Sequence, residues 1–187
     1  MIAAIRRQAT GRNVIVMLAA VGMVALISHG LALPAYRAVA SGLDPFDIQF
    51  PLTREMVAIQ RGAFGVGVAP AYVSFAILNS LFQGMTAVFY ALFWAWIMAK
   101  SPRPLARGAL LVFPVLAVVC GIAENAGFLI LVFSNAHDPR HDVTTATLAV
   151  HRVKFFLRDA DMAITLTLAA FAMYFRRRAS AVGKTKT

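Results

Sequence analysis

The sequence predicts an all-α integral membrane protein, a four-helix bundle with both termini in the cytoplasm. Three observations carry this expectation. Four apolar stretches of about 20 to 30 residues are joined by short polar pieces, and about 20 apolar residues span a bilayer as a helix. The composition is that of a membrane protein: 60% of the 187 residues are hydrophobic and only 14% are charged, with a mean hydropathy of +0.72. The charges are also uneven. Arg6, Arg7 and Arg12, then Lys100, Arg103 and Arg107, then Arg176, Arg177, Arg178, Lys184 and Lys186 lie in three segments that hold no Asp or Glu. The other two connections mix both signs. Lys and Arg accumulate on cytoplasmic loops, which places those three segments at the cytoplasmic face of a cell inner membrane.

The first helix is expected over about 13–35. Basic residues ahead of the apolar run from Val14 to Ile27, with Ala38-Val39-Ala40 beyond it, also fit a signal peptide. The apolar character continues through Leu31, Ala32, Leu33 and Ala35, longer than a signal core, so a retained helix is expected. The connection over 37–70 faces outward, and Pro45 and Pro51 break any long helix there. Thr53 can cap a short helix over 54–61 with Glu55 in its favourable first turn. Met56, Val57 and Ile59, with Phe46 and Phe50, are expected on the membrane surface as an interfacial element.

The second helix is expected over about 71–99, with Trp94 and Trp96 in the interfacial aromatic belt. Ser101-Pro102-Arg103-Pro104 makes a cytoplasmic turn. The third helix runs over about 108–133, and Pro114 kinks it. Its small-residue pairs Ala117/Gly121 and Ala123/Gly127 permit close helix approach. Asn135 to Asp142 form a polar outer loop, and the fourth helix runs over about 145–175 to three arginines. Residues 1–187 are thus read as one domain.

Several function classes drop out. The net charge of +10 sits beside membrane spans, where topology and anionic lipid explain it, so no nucleic-acid partner is expected. Cys120 is the only cysteine, which removes intrachain disulfides and cysteine metal clusters. His29 and His151 differ by about 12 Å in height, which disfavours a haem held between them. His137 and His141 with Asp138 and Asp142 read as a solvated loop, so neither a metal nor another cofactor is expected. No nucleotide loop, nucleophile elbow or HExxH motif occurs.

The informative residues are polar ones at membrane depth. At about 1.5 Å per residue from the nearest cytoplasmic charge, His29, Gln83 and Glu124 lie about 25 Å up, Asn79 about 30 Å, Asp161 about 22 Å and Arg158 about 27 Å. All four helices therefore bring a polar group to nearly one level of a core about 30 Å thick. His151, Lys154, Arg158, Asp161 and Thr165 recur at steps of three and four on one face of the fourth helix, as do Asn79, Gln83, Thr86 and Tyr90 on the second. Two such stripes should face each other rather than lipid. Glu124, next to Asn125, needs a cation or a proton. Arg158 is the expected partner, with Lys154 in reserve.

One ion pair suffices to fix helix register, and a purely structural role is the alternative reading of this layer. Its excess of costly groups favours a site made of His29, Asn79, Gln83, Glu124, Asn125, Lys154, Arg158 and Asp161. Below it, the cytoplasmic halves of all four helices hold no ionisable group except Tyr174. The expectation is therefore a pocket open to the outer side and closed inward, not a channel. Its ligand would be small and polar or amphiphilic, with membrane lipids the nearest source. The competing expectations are an accessory subunit pairing with another membrane protein or a second copy, and an enzyme acting on a lipid-soluble substrate with Glu124 as acid or base.

Asp44 to Thr53, the apolar helix starting near Tyr72, and Ala123-Glu124-Asn125 followed by a basic fourth helix resemble a group of small bacterial four-helix membrane proteins of unknown function. In that group an Asp commonly stands three residues before the Glu-Asn pair. Here that position is Gly121, and a role needing paired carboxylates there is not implied. The resemblance covers about two-thirds of the chain and brings no activity with it.

Overall fold

The computed structural model describes residues 2–65, 67–99, 110, 112–134 and 141–184, and their regular structure is entirely helical. Helix α1 (Ile2–Gln8) leads into α2 (Gly11–Ile27), whose first turn is capped by the Thr10 hydroxyl accepting from the Asn13 N–H at 3.2 Å. A π turn (Ser28–Ala32) then joins α2 to α3 (Leu33–Val39). Pro34, which has no N–H, follows directly. The Leu33 N–H bonds the Ser28 carbonyl, five residues back, so the helix widens by one residue instead of breaking.

The connection that follows holds a 3-10 turn (Phe46–Ile48) and α4 (Arg54–Gly62). Thr53 caps α4 as expected, its hydroxyl accepting from the Met56 N–H. Then come α5 (Val68–Ala99), α6 (Val112–Phe133) and α7 (His141–Lys184). The described parts of the four expected helices all form. The first extends to Val39 and the fourth runs from His141 to Lys184, because its arginines are good helix formers and nothing there breaks the turn. The turn at Ser101–Pro104, the start of the third helix at 108 and most of the loop at Asn135–Asp142 lie outside the described residues.

Three helical stretches are long and apolar enough to cross a membrane: Gly11–Val39, Val68–Ala99 and Val112–Phe133. Helix α7 is not among them, since its first half carries Arg152, Lys154, Arg158, Asp159 and Asp161. Helix α6 packs along both α5 and α7, and α2 packs on α5. Two glycines set how close they come. A Cβ on Gly127 would lie 2.1 Å from the Thr147 Oγ1 of α7, and one on Gly121 would meet the Gln83 carboxamide of α5. The two small-residue pairs of α6 thus serve two different neighbours.

Aromatic side chains fill one end of the bundle. Phe46 is fully buried between Phe128, Tyr72 and Phe64, at ring-centre separations of 5.2, 6.0 and 5.6 Å. This corrects the surface reading of the connection. Phe46 and Val57 point into the core, while Phe50, Met56 and Ile59 are exposed. Burying Phe46 removes more apolar area from water than an interfacial position would. Trp94 is also corrected: it is fully buried, and its indole N–H donates to the Thr165 hydroxyl at 2.9 Å.

Candidate functional site

Glu124 lies in the middle of α6 with no exposed surface. Three segments converge on it. Helix α7 brings His151 and Lys154, one turn apart on one face. Helix α5 brings Asn79. The 3-10 turn and the residue after it bring Asp47 and Gln49. The Lys154 Nζ sits 2.5 Å from the Glu124 Oε2 as an ion pair and donates to the Asp47 carbonyl at 2.9 Å. The His151 Nδ1 faces the Glu124 Oε1. The His151 Nε2 lies 2.7 Å from the Gln49 carbonyl.

That carbonyl can only accept, so the His151 Nε2 carries a proton and donates it. The Nδ1–Oε1 contact then holds one further proton between imidazole and carboxyl. Glu124 therefore meets a fixed cation on one oxygen and a protonatable base on the other. Asp47, also buried, accepts from the Asn79 amide through Oδ2, while its Oδ1 has no hydrogen-bond partner. A buried polar oxygen without a partner is costly, and such atoms concentrate where a ligand, a water or a proton belongs.

The loop is tied down around this cluster. The Gln49 and Gln60 amides both donate to the Asp44 carbonyl, Arg37 pairs with Asp44 at 2.6 Å, and Phe50 stacks on Phe155 with ring centres 4.6 Å apart. The expected open mouth is therefore closed by the segment over 44–51. A cavity of about 190 Å³ does exist at this end of the bundle, but its walls include Arg61, Phe64, Val68 and Leu131 and not Glu124.

The expected site residues separate into three groups. Glu124, Lys154 and Asn79 come together. Asn125 and Gln83 adjoin them: the Asn125 amide donates to the Ser80 hydroxyl at 2.7 Å, and Gln83 lies over Gly121. Asp161 is buried further along α7 and makes no contact with the cluster. His29 and Arg158 do not join. His29 is exposed and makes an edge-to-face contact with Phe82. The π turn directs its neighbour Ser28 inward in its place.

Arg158 is also exposed, pairs with the adjacent Asp159 at 3.1 Å, and lies over the Phe155 ring. The Glu124–Arg158 pair is thus overturned in favour of Lys154 and His151. The physical reason is register. Helix α7 continues well past Arg176, so counting up from that residue misplaces α7 against α6 by one to two turns. The Arg158 guanidinium instead lies over the Phe155 ring and keeps its head outside, paired with Asp159. The second-helix stripe divides: Asn79 and Gln83 meet the loop and α6, while Tyr90 lies near Asp161 and Arg158 of the α7 stripe. Asp47 and the Gln49 carbonyl were invisible to helix spacing, because a loop has no periodicity. The only hint was an aspartate between two phenylalanines beside two prolines.

Burial pushes the Asp47 carboxyl up to about 7 from its ordinary 3.8, with the nearby Lys154 ammonium pulling it back and Glu124 pushing it up. The folded chain therefore holds this proton more tightly than the unfolded chain. That contribution to stability is complete below about pH 4 and is lost as pH rises through about 7. The thermal midpoint in detergent is expected to fall across this window for the parent relative to Asp47→Asn. Parallel midpoint curves for the two proteins would remove Asp47 as the titrating group.

No family model matches this chain, and neither a curated protein nor a solved structure does.

Proposed function

We propose that this chain is a multi-pass inner-membrane protein of four spanning helices, N-in and C-in, whose Glu124 cluster binds a small polar or amphiphilic ligand beneath the loop over 44–51. The three apolar helices support the membrane placement. The fourth span is the part of α7 from Ala160 to Phe175, which holds Asp161 as its only charged side chain. The absence of acidic residues from the three basic segments supports the orientation.

One observation carries the ligand reading. The Lys154 ammonium and the His151 imidazole are both held at the buried Glu124 carboxyl, and each also donates to a backbone carbonyl of a loop. A register-fixing pair needs neither the second base nor the loop. Carbonyl oxygens of the loop are the same acceptor chemistry that a carboxylate, phosphate or ester would offer. Loops open at lower free energy than packed helices, so such a ligand can exchange with it.

The test is native mass spectrometry of protein extracted with its surrounding lipid. The parent is expected to carry a bound small molecule or lipid that is missing from the charge-neutral double variant Glu124→Gln/Lys154→Met. The same bound species on both proteins would refute the reading. Asn79→Leu is not a neutral probe here, because it strands the Asp47 carboxyl.

A second reading rests on a different observation. Arg158 and Asp159 are 60% and 62% exposed on α7, and His29 is exposed on the first helix. Polar groups outside a bundle at this depth are what an accessory subunit would turn toward a membrane partner. Co-elution of a stoichiometric partner that is lost in Arg158→Leu/Asp159→Leu would favour it.

A further inference from the structure

Among the described residues, Asp161 is the one buried carboxylate that the Glu124 cluster leaves unexplained. It is 2% exposed, its Oδ1 meets no hydrogen-bond partner, and none of the ion pairs among the described residues includes it. Arg158, one turn away on the same helix, is directed outward to Asp159. Tyr90 of α5 is near enough to feel both Asp161 and Arg158, and it brings no positive charge. Thr165 bonds the Asp161 backbone carbonyl and not its carboxyl. At about 1.5 Å per residue Asp161 lies about 22 Å from Arg176 along α7, and about 10 Å from Lys154. That is one residue inside the outer end of the segment read above as the fourth span.

A carboxylate removed from water without a counter-charge costs far more than a fold can offset. Among the described residues the chain supplies no counter-charge here. We propose that Asp161 is a monovalent-cation site, in which the carboxylate takes its positive charge from outside the chain, as a proton or as an alkali ion. One cation neutralises one carboxylate and leaves no net charge in the bundle. The fully buried Glu124, by contrast, has its cation built in. The two sites are independent, and loss of ligand binding at Glu124 leaves this inference untouched.

The test is labelling with a hydrophobic carbodiimide, which reaches carboxyls from the lipid side. The carboxyl oxygen adds to the central carbon of the reagent and the carboxyl proton moves to one of its nitrogens. The adduct therefore carries the whole reagent and is mapped by peptide mass. At about pH 6 an ordinary aspartate is almost fully ionised and reacts slowly. Asp161 in the full-length parent is expected to label at least tenfold faster than the exposed Asp159. Labelling unaffected by sodium assigns the occupant as a proton. Slowing by sodium, at constant ionic strength with choline as the control, assigns it as an alkali ion.

Asp161 labelling no faster than Asp159 overturns the proposal. So does a thermal midpoint lowered by Asp161→Asn in choline buffer without alkali ions, since a neutral isostere at a site without a protein counter-charge then leaves the midpoint at or above that of the parent. Mapping on the parent needs no variant, so the first outcome decides even where a substitution fails to fold.

Discussion

Lys154→Met is expected to destabilise the folded chain by about 3 to 5 kcal/mol, the range for breaking one side of a buried ion pair. The substitution leaves Glu124, which has no exposed surface, with only His151 against it. It also releases the Asp47 carbonyl that Lys154 holds at 2.9 Å, so the loop loses an anchor at the same time. The double variant Glu124→Gln/Lys154→Met is expected to recover much of the loss, because it strands no charge. Arg158→Met is the control. That side chain is 60% exposed and bonded to its own neighbour, so its removal should cost about 1 kcal/mol or less. Thermal and denaturant unfolding in detergent, compared across the four proteins, separates these effects. A larger loss in Arg158→Met than in Lys154→Met would contradict the pairing described here.

Gly127→Ala is expected to have the second large effect. The new Cβ would stand 2.1 Å from the Thr147 Oγ1, 2.8 Å from its Cγ2 and 3.0 Å from its Cβ, and the last of these moves only with the α7 backbone. Overpacking of this kind typically costs about 1 to 3 kcal/mol. Separating α6 from α7 also loosens Glu124 from His151 and Lys154, so ligand co-purification should fall with stability. Thr147→Gly in the same chain removes all three contacts and should restore both. The contrast is Gly121→Ala, where the closest atoms belong to the Gln83 carboxamide, the mobile end of a flexible side chain. It should be tolerated better, and rescued fully by Gln83→Ala. An equal loss for the two glycine variants, measured by unfolding midpoint, would show that side-chain mobility does not set the cost.

The helices were legible in the sequence because their causes are local. Apolar length, the Thr53 cap and proline positions act within a few residues of where they stand, and the described helices follow them. The buried polarity of Glu124 and Asn79 was legible for the same reason: an apolar run makes any polar residue inside it conspicuous. Which cation meets Glu124 was not. That depends on how far α7 slides along α6, and the slide is set by side chains from both helices, by Gly127 against Thr147 above all. Lys154 and Arg158 are four residues apart, so a shift of about 6 Å exchanges them. The place of the loop was equally hidden. Asp47 is buried because Phe46 beside it finds Phe128 and Tyr72, a contact between residues far apart in the chain that no spacing rule encodes. The sequence by itself determined the helices and the buried carboxylate. The tertiary structure alone decided its partners and its cover, because both depend on packing between segments that the chain order does not place side by side.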